Sequence, residues 1–243
     1  EVAVEASIKN ERLKTNLITN VSHDIKTPLT SIINYVNLLK NENFDDPRIQ
    51  RYIEVLEQKS MRLKTLTEDV VEASKITSGN IKLECMKLDF TELVLQTSAE
   101  YEEKFEERNL TEIQHLPKEK ALVYIDGRRT WRILANLYNN AAKYAMTGSR
   151  IYTDLKVTEG AVIFSIKNIS EQPLNINADQ LTERFIRGDV SRSTEGSGLG
   201  LSIAKDLTKL QGGDFQIYLD GDLFKVMLTF PLWKPESAEQ QKA

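Results

Sequence analysis

The sequence predicts an α+β protein in two parts: a helical hairpin that pairs with a second copy into a dimeric four-helix bundle, then an α/β sandwich. Two observations lead there. Residues 1–78 hold no glycine and repeat apolar residues at three- and four-residue steps, whereas all 11 glycines fall from Gly79 onward, among short runs of strand character. A hairpin with apolar seams of this kind is too thin to bury its own core, and a second hairpin solves that problem.

In the first helix the stripe Leu17, Val21, Ile25, Ile32, Val36, Leu39 marks one amphipathic face. NENFDDPR interrupts it, with acids ahead of Pro47 announcing a new helix start. There Ile49, Leu56, Leu63 and Val70 keep a strict seven-residue repeat, broadened by Ile53 and Leu66, as bundle packing requires. TSGN at 77–80 ends the helix, with Gly79 as C-cap. The expected boundaries are 1–78 for the hairpin, 79–233 for the sandwich and 234–243 for a disordered tail.

In the second part IKLE (81–84), ALVYI (121–125), IYTDLKV (151–157), AVIFSIK (161–167), DFQIYL (214–219) and LFKVMLTF (223–230) read as strands. Asp220-Gly221 is a hairpin turn between the last two. Helical patterns fill 89–108, 127–146 and 199–211, the last closed by Gly212-Gly213. Residues 168–197 show little periodicity and read as a mobile loop. The expectation is a mostly antiparallel sheet with about three helices.

A net charge of −4 and a pI near 5.5 argue against a nucleic-acid partner, which would want a basic face. The single cysteine, Cys85, closes no intramolecular disulfide and reads as a small buried or half-buried residue. His115 stands alone in a loop-like stretch, which disfavours a metal site. No apolar run is long enough to span a bilayer. The chain begins EVAVEASIKN without a methionine, as a piece of a longer protein would.

Chemistry first appears in NVSHDIKTPLTSI, residues 20–32. His23 lies two positions from both Val21 and Ile25, about 200° from the apolar stripe, and Thr27 shares its face one turn on. Pro28 costs the helix the hydrogen bond to the Asp24 carbonyl and should bend it beside the histidine. A neutral imidazole is a nucleophile when a carboxylate holds its other ring N–H, and Asp24 is placed to do so. By itself the stretch also fits an exposed histidine near a kink.

A second cluster lies downstream. ILANLYNNAAKYA (133–145) places Asn136 and Asn140 one turn apart, with Lys143 three residues further. Amide oxygens can complete a magnesium shell and a lysine adds a charge for phosphate, although a plain polar helix face has the same pattern. GSGLGLSIAK (196–205) is a glycine-rich turn entering a helix, which offers backbone N–H groups to phosphate or is simply a tight loop. Upstream, Arg187 and Arg192 can reach a terminal phosphate, or either is a solvated surface arginine, the reading that fits Arg192 better.

SHDIKTPL, NLYNNAAKY, ERFIRGD and GSGLGLSIA resemble, in order and spacing over residues 10–232, the H, N, F and second glycine boxes of sensor histidine kinases. The resemblance implies a dimerisation and phosphotransfer hairpin ahead of a Bergerat-type ATP-binding fold. It implies transfer of the ATP γ-phosphoryl to a histidine, then to an aspartate on a response regulator receiver domain. By position, His23 matches the phosphoacceptor, Asp24 its orienting base, and Thr27 the residue that aligns water for regulator dephosphorylation. Asn140 matches the main Mg2+ ligand, with Asn136 beside it. Lys143 and Arg187 match phosphate-binding positions and Tyr144 lies by the nucleotide. Gly196, Gly198, Leu199 and Gly200 belong to the nucleotide lid. Residues 5–22 would be the input helix, and a membrane anchor is expected upstream of residue 1, leaving this as the cytoplasmic portion of a bacterial protein.

The chain departs from the family's first glycine box, Asp-x-Gly-x-Gly, which should follow AVIFSIK. It reads NISEQPLNIN, with Asn168 at the aspartate position, Ser170 at the first glycine and no glycine between 160 and 188. Asn168 can still accept a hydrogen bond from an adenine amino group, without charge and about 1 kcal/mol more weakly. ATP binding at reduced affinity is expected. A degenerate, weakly binding scaffold is the other outcome this box allows; a chaperone or topoisomerase ATPase is disfavoured by the hairpin in front.

Overall fold

The computed structural model describes residues 25–42, 44–174, 177–182 and 198–234, which divide near Ile81 into two units. The first unit consists of helix α1 (25–41) and helix α2 (Pro47–Thr77). Asp46 caps α2 by accepting from the Arg48 N–H at 2.9 Å, with proline at the first helical position. The helix ends at Thr77 with Ser78 as its C-cap, one residue before the expected Gly79, whose φ of 67° lets its N–H and that of Asn80 return to the Ile76 and Lys75 carbonyls. Lys40 and Glu57, 2.7 Å apart, tie the two helices together, a partly exposed pair worth under about 1 kcal/mol.

The expected stripes split into two columns. Leu29 and Val36 on α1, and Ile53 and Ser60 on α2, are buried. The neighbouring heptads, Ile25, Ile32 and Leu39 on α1 and Ile49, Leu56 and Leu63 on α2, stay between 37% and 49% exposed. A seven-residue apolar repeat makes two adjacent columns, and one neighbouring helix covers only one of them.

The second unit is a two-layer sandwich. Its elements run β1 (Met86–Asp89), α3 (Phe90–Glu106), β2 (Thr111–His115), β3 (Leu122–Ile125), α4 (Gly127–Tyr144), β4 (Arg150–Val157), β5 (Ala161–Ile169), α5 (Ala178–Leu181), α6 (Gly200–Leu210), β6 (Asp214–Asp220) and β7 (Leu223–Pro231). The main sheet has the order β2-β4-β5-β7-β6, antiparallel throughout except that β2 lies parallel to β4. β1 and β3 form a separate antiparallel pair. Strict alternation builds the core: Phe224, Val226, Leu228 and Phe230 of β7 are buried, while Lys225, Met227 and Thr229 between them are not. On the buried side the ring of Phe90 in α3 meets Phe164 and Phe230 at 5.9 and 5.6 Å.

Two strand assignments change. IKLE (81–84) is no strand, because the Glu84 N–H goes to the Asp126 carboxylate at 3.0 Å instead of a ladder; the strand is Met86–Asp89, in register with Ile125–Leu122. Thr111–His115, whose TEIQH carries only one apolar residue, is an edge strand. His115 therefore ends a strand, its Nδ1 2.7 Å from Asp154, which also accepts from Lys167 at 3.0 Å. Within the expected loop, residues 168–169 belong to β5 and 178–181 form α5, while 183–197 lie outside the described residues, as does the tail beyond 234. In the β6–β7 hairpin Asp220 pairs with Leu223, so the turn residues are Gly221 and Asp222.

Tyr101 links the two larger helices, its hydroxyl donating to the Ala135 carbonyl at 2.9 Å. Burial, and the Glu100 carboxylate nearby, push this phenol from 10.0 up to about 12. Its contribution to stability is complete below pH 10 and is lost as pH rises towards 12, because the unfolded chain releases the proton first. Tyr101→Phe should lower unfolding free energy by about 1 kcal/mol at neutral pH. It should also flatten the loss of stability between pH 10 and about 12 in urea titrations at stepped pH.

Candidate functional site

The site grows from α4. Asp126 caps its start: one carboxylate oxygen accepts from the Arg129 N–H at 3.0 Å, the other from Glu84, and its own N–H donates to Gln211 Oε1 at 2.8 Å. Thr130 donates to the Asp126 carbonyl at 2.9 Å and to the same Gln211 oxygen at 3.2 Å, while Gln211 Nε2 donates to the Leu207 carbonyl. The end of α6 is thereby locked to the start of α4. Ile133, Leu134, Leu137, Tyr138 and Ala141 are buried, which leaves Asn136, Asn140 and Lys143 on a half-exposed stripe.

The first turn of α6 approaches this stripe. A Cβ added to Gly200 would lie 3.6 Å from the amide carbon and oxygen of Asn136. The Nδ2 of Asn136 is buried without a hydrogen-bond partner among the described residues. A buried donor left so costs about 1–3 kcal/mol, which a ligand or water at this place would relieve. Ahead of α6, Gly198 has φ 71°, a value that only glycine adopts freely; Gly198 and Leu199 are grouped with the first unit.

At the other end of α4, Asn168 sits buried in β5 opposite Ile151 and Phe224. Its Nδ2 donates to the Ile169 carbonyl at 3.1 Å, which fixes the amide orientation and leaves Oδ1 as an acceptor unused among the described residues. Met146 N–H to Ile169 and Glu171 N–H to Tyr144, both 2.8 Å, join the end of β5 to the end of α4.

The structure thus brings Asn136, Asn140, Lys143, Tyr144, Asn168 and Gly200 together around one helix. Thr27 is exposed on α1, in the other unit. His23, Asp24, Arg187, Arg192 and Gly196 lie outside the described residues. A groove of about 560 Å³ along the β6–β7 hairpin, lined by Leu174, Tyr218 and Asp222 among others, holds none of these residues. Sequence reasoning missed Asp126 and Gln211. An aspartate just before a helical pattern is a readable cap signal; nothing local ties it to a glutamine 85 positions away.

The donor set fits a nucleotide with magnesium: neutral amide groups on one helical stripe, an unpartnered buried amide, a glycine-led helix start beside it and a neutral acceptor at the far end.

Comparison with known proteins agrees with a nucleotide site. Residues 13–79 match the His Kinase A (phospho-acceptor) domain, and residues 125–239 match the histidine kinase-, DNA gyrase B- and HSP90-like ATPase family. The sensor protein VanSC of Enterococcus gallinarum is 32% identical over 93% of this chain and 63% of its own length. The histidine protein kinase SaeS of Staphylococcus aureus is 32% identical over 90% of this chain and 64% of its own. The chain therefore spans less than two thirds of these relatives. Among solved structures, full-length ShkA in complex with AMPPNP shares the fold at a TM-score of 0.76 and 20% identity, covering 91% of this chain and 47% of that one.

The Gln211 lock carries a direct expectation. Gln211→Leu strands the buried Asp126 N–H and should cost about 1–3 kcal/mol in urea unfolding. Gln211→Glu keeps an acceptor but sets a buried carboxylate oxygen against the Leu207 carbonyl and near the Asp126 carboxylate, and should not recover that loss at neutral pH.

Proposed function

Because the chain belongs to the sensor histidine kinase family, we propose that it autophosphorylates on His23 from ATP and passes the phosphoryl group to an aspartate of a response regulator. The observation that carries the reading is the stripe on α4, with the unpartnered Asn136 amide facing the glycine-led start of α6. Asn140, with Asn136 beside it, would hold Mg2+. When bound, the ion neutralises phosphate oxygens. Lys143 and Arg187 would bind phosphate, Tyr144 and Asn168 the base, and Gly196, Gly198, Leu199 and Gly200 would shape the lid.

A ring nitrogen of His23 attacks the γ-phosphorus as the bond to the ADP oxygen breaks. Asp24 would hold the other ring N–H and stabilise the imidazolium that forms. Thr27, exposed on α1, would align water to hydrolyse the phosphoryl group of the regulator. The chain would act as a homodimer, since the open columns Ile25, Ile32, Leu39 and Ile49, Leu56, Leu63 are what a second hairpin would cover. In the whole protein an upstream membrane anchor and the input helix at 5–22 would deliver the signal, this chain being the cytoplasmic part. Among the described residues no helix is long and apolar enough to cross a membrane.

One observation favours a second reading. NISEQPLNIN lacks the expected glycines, and its start is pinned by Ser170 N–H to the Asp222 carbonyl at 2.7 Å. A stiff, uncharged base site suits a weakly binding, phosphatase-biased scaffold.

Incubation with γ-labelled ATP and magnesium separates the two, the kinase giving an acid-labile, alkali-stable phosphate that His23→Gln abolishes. Persistence of label in that variant would remove His23 from the mechanism. Thr27→Ala should keep the label yet lose dephosphorylation of a phosphorylated receiver domain.

A further inference from the structure

The last turn of α4 carries Asn140, Lys143 and Tyr144, and it ends without a glycine. Its C-cap, Ala145, is extended at φ −66° and ψ 145°. Such an end leaves carbonyls that need partners from elsewhere in the fold. That of Ala141 accepts from Ala145 N–H at 3.0 Å. Those of Ala142 and Lys143 both accept from Nη1 of Arg108, at 2.7 and 2.5 Å. The last, on Tyr144, accepts from the Glu171 N–H at 2.8 Å.

The other arm of the same guanidinium reaches further. Arg108 Nη2 donates to Thr147 Oγ1 at 3.1 Å and to Glu171 Oε2 at 2.5 Å, and Thr147 donates to the second Glu171 oxygen at 3.4 Å. Arg108 itself is held, its carbonyl accepting from Gly148 N–H at 3.1 Å. One side chain, only 25% exposed, thus joins the turn after α3, the end of α4 and the stretch that follows β5 after Ile169. A planar cation with two forked arms suits this place, where the helix dipole is negative and four acceptors converge. A lysine has the charge without the fork.

We propose that Arg108 is a positioning residue of the nucleotide site: it keeps Asn140, Lys143 and Tyr144 in helical register and braces residues 168–171 against them without touching the nucleotide. The proposal rests on the nucleotide reading given above. It also gives the missing first glycine box a physical counterpart, since a segment anchored through Glu171 holds its course without a glycine turn.

The test uses the full 243-residue chain with Arg108→Ala, Arg108→Lys and Glu171→Gln. Amide hydrogen exchange at 143–146 and 170–171 should quicken in Arg108→Ala, with the buried amides of β5 and β7 unchanged. Affinity for ADP with magnesium, read by calorimetry, should fall about tenfold, the scale of lost charge-assisted hydrogen bonds. Arg108→Lys should fall between, and Glu171→Gln should loosen 170–171 alone. Unchanged exchange at 143–146 overturns the proposal, as does faster exchange with unaltered affinity. If Arg108→Ala does not fold, Arg108→Lys carries the same two readouts. A wild-type chain that binds no ADP would remove the nucleotide reading, and the exchange arm would then decide the positional claim by itself.

Discussion

The backbone N–H of Asp126 and the hydroxyl of Thr130 share one acceptor, Oε1 of Gln211, and this buried junction sets where α4 lies against α6. Those helices carry the asparagine stripe and the glycine-led start. A small slide of one past the other would separate Asn136 from Gly200, now 3.6 Å from where a Cβ would stand. The junction also reaches the segment entering the unit, because the Asp126 carboxylate that caps α4 takes the Glu84 N–H as well. The opposite end of α4 is closed by Arg108 and Glu171. The helix is clamped at both ends, and the half-exposed stripe of Asn136, Asn140 and Lys143 lies between.

The helical hairpin follows a different physics. Its interior is thin: Leu29, Val36, Ile53 and Ser60 are buried, and each has an open apolar column next to it. Seven-residue spacing makes both columns, and a single neighbour hides one. Exposed columns of that size on a glycine-free hairpin are costly in water, which is the physical ground for reading the unit as half of a bundle.

Much of this was legible in the sequence because periodicity is a local property. The α4 face, the two long antiparallel strands, the Asp46-Pro47 start and the Gly79 stop all follow from residues close to one another. What escaped was non-local or weakly patterned. TEIQH has one apolar residue in five and was read as loop, since its pairing beside β4 is a tertiary fact. IKLE looked like a strand, but its Glu84 N–H was taken by a carboxylate 42 positions away. Gln211 and Arg108 are polar residues with nothing local to mark them, and their partners lie 85 and 34 residues off. Helical spacing grouped Asn136, Asn140 and Lys143 on one face, and they do share a half-exposed stripe of α4. The orphaned Asn136 amide and the orientation of Asn168 needed coordinates.

The central claim is that the stripe on α4 is a nucleotide site. Its most direct test is calorimetric titration of the wild-type chain and of Asn140→Ala with ADP and magnesium. Saturable binding to the wild type, lost in Asn140→Ala without loss of folding, is the result the geometry calls for. No heat of binding at millimolar nucleotide, or equal affinity in both proteins, would contradict it.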